Sequence, residues 1–286
     1  MNNLSEHQKG ILYVLTAALL WSSGGLFIKL ISFSAMQLSF FRCSIAAITF
    51  ALIFRKRILL VNKLSITNSF IYAIVLITFV IATKTTTAAN AIFLQATAPI
   101  YILIFEPILT KTKYERTNII TVGICMIGML LFFVGKLEPG HLEGNLVALI
   151  SGVTFAALFL GMKKIDPQYQ QSSIFWGNII VAIVCIPFLS SLEVITFSDL
   201  WMVTFLGVFQ IAFAYAFFAS GLKRVIAVEA SIISMVEPVF NPVWVFLGYG
   251  ESPTFYSIIG GTIIIIAIIV RTIYSGSGLI MRKFRL

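Results

Sequence analysis

The feature that most constrains this chain is a succession of long apolar segments with very little between them. They occupy residues 10–31, 34–54, 64–83, 86–109, 117–134, 143–162, 172–190, 200–222, 227–248 and 253–273. A transmembrane helix needs about 20 mostly apolar residues. Over such lengths in lipid only a helix pairs all of its own backbone groups, whereas the strands of a membrane barrel would be short and alternating. The chain is 59% hydrophobic and 11% charged, with mean hydropathy +1.01. A soluble domain averages about 45–50% apolar and about 25% charged residues, so no water-borne globule could bury this much apolar surface. The expected fold is an all-α integral membrane protein of ten transmembrane helices. The first apolar run is too long for a signal-peptide core and lacks a small-residue cleavage site after it, so it reads as a retained first span.

Lys and Arg set the orientation. With the N-terminus in the cytoplasm, the inner side receives Lys9, Arg55, Lys56, Arg57, Lys63, Lys111, Lys113, Arg116, Lys163, Lys164, Lys223, Arg224, Arg271, Arg282, Lys283 and Arg285, and the outer side Lys29, Lys84 and Lys136. The reverse topology would expose nearly all the positive charge outside. Both termini are therefore placed in the cytoplasm, in a multi-pass protein of the plasma (inner) membrane. The net charge of +9 then faces anionic headgroups, and nucleic acid is not an expected partner. Cys43, Cys125 and Cys185 lie inside apolar runs without metal-ligand spacing and read as small buried hydrophobes. Neither a metal nor a cofactor is expected.

The chain also resembles itself. Placing Pro99 over Pro238 lays "KTTTAANAIFLQATAP" (84–99) on "KRVIAVEASIISMVEP" (223–238) without a gap, matching Lys84 with Lys223, Ala88 with Ala227 and Ala91 with Ala230. Upstream, "WSSGGLFIK" (21–29) lies on "FAALFLGMK" (155–163), and downstream Glu115 precedes Gly123 much as Glu251 precedes Gly260. The matches keep one order, spans one to five on spans six to ten. Because five is odd, the second copy enters the membrane from the opposite side, as in transporters that alternate access about a midplane site. The expected division is a first repeat over 1–138, an inverted second repeat over 139–274 and a short, flexible basic cytoplasmic tail over 275–286.

On these residues the chain resembles the drug/metabolite transporter superfamily, in particular EamA-type permeases. The resemblance is carried by "FFRCSIAA" (40–47), "ATKTTTAANAIFLQATAP" (82–99) and "KRVIAVEASIISMVEPVFNPVWVFLGYGES" (223–252). It covers nearly the whole chain, with one departure: Ala98-Pro99 stands in the first half where Glu237-Pro238 stands in the second. The resemblance implies export of amino acids, related metabolites or drugs, often driven by protons.

Glu237 lies about ten residues into its span, near mid-bilayer at about 1.5 Å rise per residue. A charge at that depth costs a few kcal/mol or more and faces a cavity or a partner. It reads either as a protonatable or substrate-contacting carboxylate or as a structural acid bonded to a neighbouring helix. Pro238 and Pro242 each remove a backbone bond, and the freed carbonyls would line the same cavity. Arg42 would hold a substrate carboxylate, pair with Glu237 or snorkel to the outer headgroups; its place near a span end favours pairing or structure. Glu106, before Pro107, sits near a cytoplasmic end, where an acid is cheap, and is otherwise a gate candidate. In "WSSGGLF" (21–27) the pair Gly24 and Gly25 admits close approach, with Trp21 and Ser22 beside it as substrate contacts or packing. Asn90, Gln95, Asn178, Gln210, Tyr215 and Asn241 supply hydrogen-bonding groups at span depth, and Pro99 marks the first-half helix break.

The expected function is that of a secondary active transporter of small polar metabolites, most simply a proton-coupled exporter of amino acids or related compounds. Its partners would be a small-molecule substrate and the lipid bilayer, and its state a monomer or weak homodimer. There is no G-x-x-x-x-G-K-[ST] loop to hydrolyse ATP. A membrane enzyme would need paired catalytic groups, and neither an H-E-x-x-H motif nor two facing acids occurs. A lipid or lipid-linked substrate flippase of the same fold is the alternative.

Overall fold

The computed structural model describes residues 4–111, 113–135, 137, 140–191, 195–249 and 254–283. Lys136, Glu251 and Arg285 lie outside the described residues, as does the junction at 138–139. The described residues form helices α1 (Glu6–Trp21), α2 (Gly24–Leu30), α3 (Ala35–Phe54), α4 (Lys63–Thr85), α5 (Ala88–Gln95), α6 (Ala98–Thr110), α7 (Arg116–Phe132), α8 (Leu142–Lys164), α9 (Gln170–Cys185), α10 (Phe197–Phe205), α11 (Ala214–Leu222), α12 (Ala227–Ser234), α13 (Val236–Tyr249) and α14 (Phe255–Lys283). A π-helical stretch, Leu206–Phe213, joins α10 to α11. Several starts are fixed by side chains that satisfy the first free N–H groups. Ser5, Ser34, Asn62 and Thr196 each cap a helix reciprocally with the residue three positions on, the arrangement that a short polar residue before an apolar run favours.

By length and composition, 8 helical runs are able to cross a membrane, with α1–α2, α5–α6 and α10–α11 each counted as one run. Among the other apolar runs, α7 is 17 residues long, and α12 and α13 are separated at Met235. Two expectations change. The run at 10–31 and those at 86–109 and 227–248 are broken near their middles rather than continuous. The flexible tail expected after residue 274 is helical, because α14 continues to Lys283. Extension adds one hydrogen bond per residue once a helix exists, and no proline interrupts this one.

Polarity is arranged for an apolar solvent. Ile48, Leu52, Phe70, Ile127 and Ile183 point outward and are exposed. Inside, polar groups meet each other: Asn68 Nδ2 donates to Ser173 Oγ (3.0 Å), Ser69 Oγ to the Ser173 carbonyl (2.9 Å) and Asn178 Nδ2 to Tyr72 Oη (3.1 Å). Interhelical hydrogen bonds and small residues take over the joining role that the hydrophobic effect has in water.

Contacts between the two halves come in matching sets. α4 packs on α8 as α1 packs on α11, α4 on α9 as the π-helical stretch packs on α3, and α5–α6 on α8 as α12–α13 pack on α1. The pairs α3·α9 and α7·α14 map onto themselves. The correspondence reaches single residues. Gly144 abuts Thr85 and Thr86, while Gly10 abuts Arg224 and Val225. Lys29 Nζ donates to the Thr86 carbonyl (2.9 Å), and Lys163 Nζ donates to the Val225 carbonyl (2.8 Å). The first lysine closes the end where α4 stops, and the second the opposite end, where α11 stops.

α7 and α14 meet at Gly128 and Gly260, and a Cβ at Gly260 would strike the Gly128 carbonyl and the Phe132 backbone. Gly123, on the same helix α7, has open space around it. Gly260→Val is therefore expected to lower the thermal midpoint and monodisperse yield of the detergent-solubilised protein, since two backbones cannot yield as side chains do. Gly123→Ala should be neutral or stabilising by up to about 1 kcal/mol. Equal effects of the two changes would count against this packing.

Candidate functional site

Four irregular stretches of helix converge on the middle of the bundle. α1 breaks from α2 at Ser22 and Ser23, α5 from α6 at Ala96 and Thr97, and α12 from α13 at Met235, while the π-helical stretch carries Gln210. The sequence makes the first break with two serines before two glycines, residues with weak helical preference. At the other two, Pro99 and Pro238 stand in the first turn of the restarting helices α6 and α13, where a missing N–H costs nothing. The prolines thus start half-helices; the chain opens just before them, not at them. π-turns inside α-helices often mark functional sites, and this one has no proline or glycine pair to announce it.

Two adjoining cavities lie at these breaks. One, of about 30 Å³, is lined by Gln95, Pro99, Phe155, Ser231, Ser234, Glu237 and Pro238 among others. The other, of about 20 Å³, is lined by Trp21, Arg42, Val75, Leu76, Phe79, Gln95, Phe155, Gln210, Tyr215 and Glu237. A water needs about 10–15 Å³ measured in this way, so each cavity has room for only one or two waters in this arrangement. Glu237, half-buried, belongs to both cavities. It stands in the first turn of α13, where a carboxylate is favoured by the helix dipole. Its counterpart in the first half, Ala98, carries no charge.

Arg42 is 0% exposed and does not reach the headgroups. Its Nη2 donates to the Leu76 carbonyl (2.9 Å). Among the described residues it forms no ion pair with Glu237, although both line the smaller cavity. Trp21 packs edge-on against Tyr215, with ring centroids 5.0 Å apart, and against Phe155 at 5.7 Å. The site therefore gathers Trp21, Arg42, Gln95, Gln210, Tyr215, Glu237, Pro99 and Pro238.

The remaining residues singled out from the sequence lie elsewhere. Asn241 Nδ2 donates to the Ser22 carbonyl (2.9 Å) and Trp244 Nε1 to Ser22 Oγ (2.7 Å), so α13 fastens the break between α1 and α2. Gly24 and Gly25 leave the room that the side chains of Gln210 and Asn241 occupy. Asn90 Nδ2 reaches Thr86 Oγ1 and Asn145 Oδ1 at one end of the bundle. Pro242 lines an outward apolar cleft of about 410 Å³ between α13 and α14. Glu106 is buried and accepts from the backbone N–H groups of Ala227 (2.8 Å) and Val228 (2.7 Å), capping α12.

The helix ends on each side of the site are joined by polar contacts that the sequence did not disclose. At one end Lys29 holds the Thr86 carbonyl, Lys84 the Ile31 carbonyl (2.6 Å), and Asp199 accepts from the backbone and hydroxyl of Ser32 (both 3.0 Å). At the other, Glu106 and Lys163 grip α12 and its approach, His7 Nε2 lies 2.9 Å from Glu229 Oε2, and Arg271 Nε donates to Asn118 Oδ1 (2.7 Å). Opposite charges at the ends of the spans were the only sequence signal for this second cluster.

An apolar helical bundle whose broken helices surround a central acid and base is the architecture of a multi-pass membrane transporter. Likeness to known proteins gives its family. Residues 8–134 and 142–273 each match the EamA-like transporter family, and the chain belongs to that family. It is 23% identical over 193 residues to an uncharacterized transporter of Archaeoglobus fulgidus, covering 67% of this chain and 70% of that protein. It is also 23% identical over 291 residues to solute carrier family 35 member G1 of Homo sapiens, covering 90% and 77%. A protein of known crystal structure shares the fold, with a TM-score of 0.79 over 93% of this chain and 96% of that one at 16% identity.

Glu106→Ala would leave two buried N–H groups of α12 without their acceptor, a loss of about 1–3 kcal/mol. The expected result is a lower thermal midpoint in detergent, partly recovered by Glu106→Gln, which keeps an acceptor oxygen. A midpoint unchanged in the alanine variant would show that this cap contributes nothing.

Proposed function

We propose that the chain is a secondary active transporter that exports amino acids or related small polar metabolites by alternating access, with Glu237 as its proton-coupling group. The observation that carries the reading is the position of Glu237, in the first turn of a half-helix, lining small cavities between the two halves. Half-helices that meet near the bilayer midplane are the usual binding element of such carriers. In this reading ten spans form two inverted five-helix repeats, 1–138 and 139–274, followed by a short basic cytoplasmic segment. Both termini are cytoplasmic, the membrane is the plasma (inner) membrane, and the working unit is a monomer or weak dimer that binds no nucleic acid.

The paired lysine locks supply the mechanical part. Lys29 and Lys163 occupy matching places in the two repeats but opposite ends of the bundle, so one repeated element serves as two gates. Opening one end while the other stays tied exchanges the side from which Glu237 is reached. An acid that is reached from one side at a time takes up a proton on one side and releases it on the other, which links proton movement to the cycle. The outward cleft between α13 and α14 favours a second reading, a flippase that admits acyl chains laterally.

Purified protein in proteoliposomes separates the two. With a pH gradient imposed, labelled amino acids should accumulate or deplete with wild-type protein and remain at background with Glu237→Gln, while substrate exchange without a gradient persists at a reduced rate in the variant, whose amide keeps an acceptor oxygen. Gradient-independent flux in both proteins would remove the coupling role of Glu237. Scrambling of a fluorescent lipid with no flux of any small metabolite would replace the exporter by the flippase.

A further inference from the structure

Among the described residues two arginines are buried, and Arg42 differs from the other in having donors without partners. Arg271 is 6% exposed, donates Nε to Asn118 and lies 3.8 Å from Glu115 and 3.9 Å from Glu229. Arg42 is more deeply buried, yet beyond its bond to Leu76 its Nε and Nη1 have no acceptor among the described residues. The neighbouring Cys43 thiol is a weak acceptor at best. Trp21 Nε1 is a second orphaned donor and Gln210 Oε1 an orphaned acceptor, and both belong to residues of the same cavity. Native interiors leave few buried polar groups unpaired, so several around one cavity call for an explanation.

Their chemistry supplies one. A guanidinium presents a planar fork that matches a carboxylate with two parallel bonds, and the Trp21 N–H adds a neutral donor. Glu237 and Gln210 provide acceptors that suit an ammonium group. The remaining lining, Val75, Leu76, Phe79 and Phe155, is apolar and would suit an apolar side chain once the cavity widens. A doubly charged anion such as phosphate would meet Glu237 as well as Arg42, whereas a bare amine would leave the guanidinium unpaired.

We propose that Arg42 is the receptor for the substrate's carboxylate, facing Glu237 across one cavity, so that the site selects amino-carboxylate zwitterions and rejects amines that lack the anion. This rests on the transport reading above and narrows it, because cationic drugs and polyamines fall outside the substrate range.

The test compares four probes with one side chain: leucine, leucinamide, isopentylamine and 4-methylpentanoate. Binding is measured by competition against labelled leucine on the purified full-length protein in nanodiscs, and flux in proteoliposomes. Wild-type protein should bind leucine at least about 100-fold more tightly than its amide or amine, as expected where buried donors are left unpaired. Arg42→Gln should reduce leucine to the level of leucinamide, erasing the preference. Arg42→Lys, with a point charge but no fork, should retain part of it. A purely structural arginine would alter yield or all four affinities together, not the ratio between acid and amide. Equal binding of leucine and isopentylamine by wild-type protein, no binding of any probe, or a preserved acid preference in Arg42→Gln would each overturn the assignment. The wild-type series decides even if a variant does not fold. Flux of amines equal to that of leucine would sink the Arg42 role and leave the transporter reading standing. Selective leucine binding with no flux under any gradient would do the reverse.

Discussion

Inside a bilayer a broken helix must find new partners for the backbone groups it frees, and this requirement governs where the chain is allowed to be irregular. Each break meets it with a nearby hydroxyl. Ser22 and Ser23 return their side chains to the carbonyls of Leu19 and Leu20, Thr97 to that of Leu94, and Ser231 and Ser234 to those of Val228 and Ala230. Asn241 then takes the Ser22 carbonyl from across the bundle. Because the breaks are satisfied from within, they lie together in the interior, and the polar side chains they carry face one another instead of lipid.

The same economy appears at the ends. Lysines that would otherwise be held in water donate to carbonyls at helix termini, Lys29 and Lys84 on one side and Lys163 on the other. These bonds satisfy carbonyls that have no partner within their own helices. They also join elements from different spans by a few polar contacts each, and such contacts are simpler to exchange than a packed apolar seam. The extensive apolar packing runs along the helix lengths, for example between α4 and α8 and between α1 and α11. The bundle is thus joined by apolar packing along its helices and by polar contacts at its ends.

Much of the architecture was legible in the sequence because the relevant physics is local. Length and hydropathy marked the helical runs. The repeat placed Pro99 over Pro238, and the structure has matching half-helix starts at both. Glu237 stood out because an acid in so apolar a context is costly wherever the helix turns. Other readings missed for equally physical reasons. Asn90 and Asn241 both read as polar groups at span depth, yet one serves an end of the bundle and the other a helix break, because Asn90 lies in the first turn of α5 and Asn241 in the second turn of α13, beyond the break. Arg42, close to a span end by residue count, is wholly buried because α3 packs on both α9 and the π-helical stretch. His7, Glu229 and Arg271 lie far apart in the chain and meet only because α1, α12 and α14 converge.

The sequence by itself determined that this chain lives in lipid, that its backbone is helical, that it carries a pattern twice and that one carboxylate lies deep in it. These follow from composition and from spacing within single segments. Only the tertiary structure decided which polar residues share a cavity, which of them remain unpaired there and which close the ends. Those outcomes depend on the rotation and tilt of each helix against its neighbours, and hydrophobic periodicity says little about either when a helix is apolar on every face.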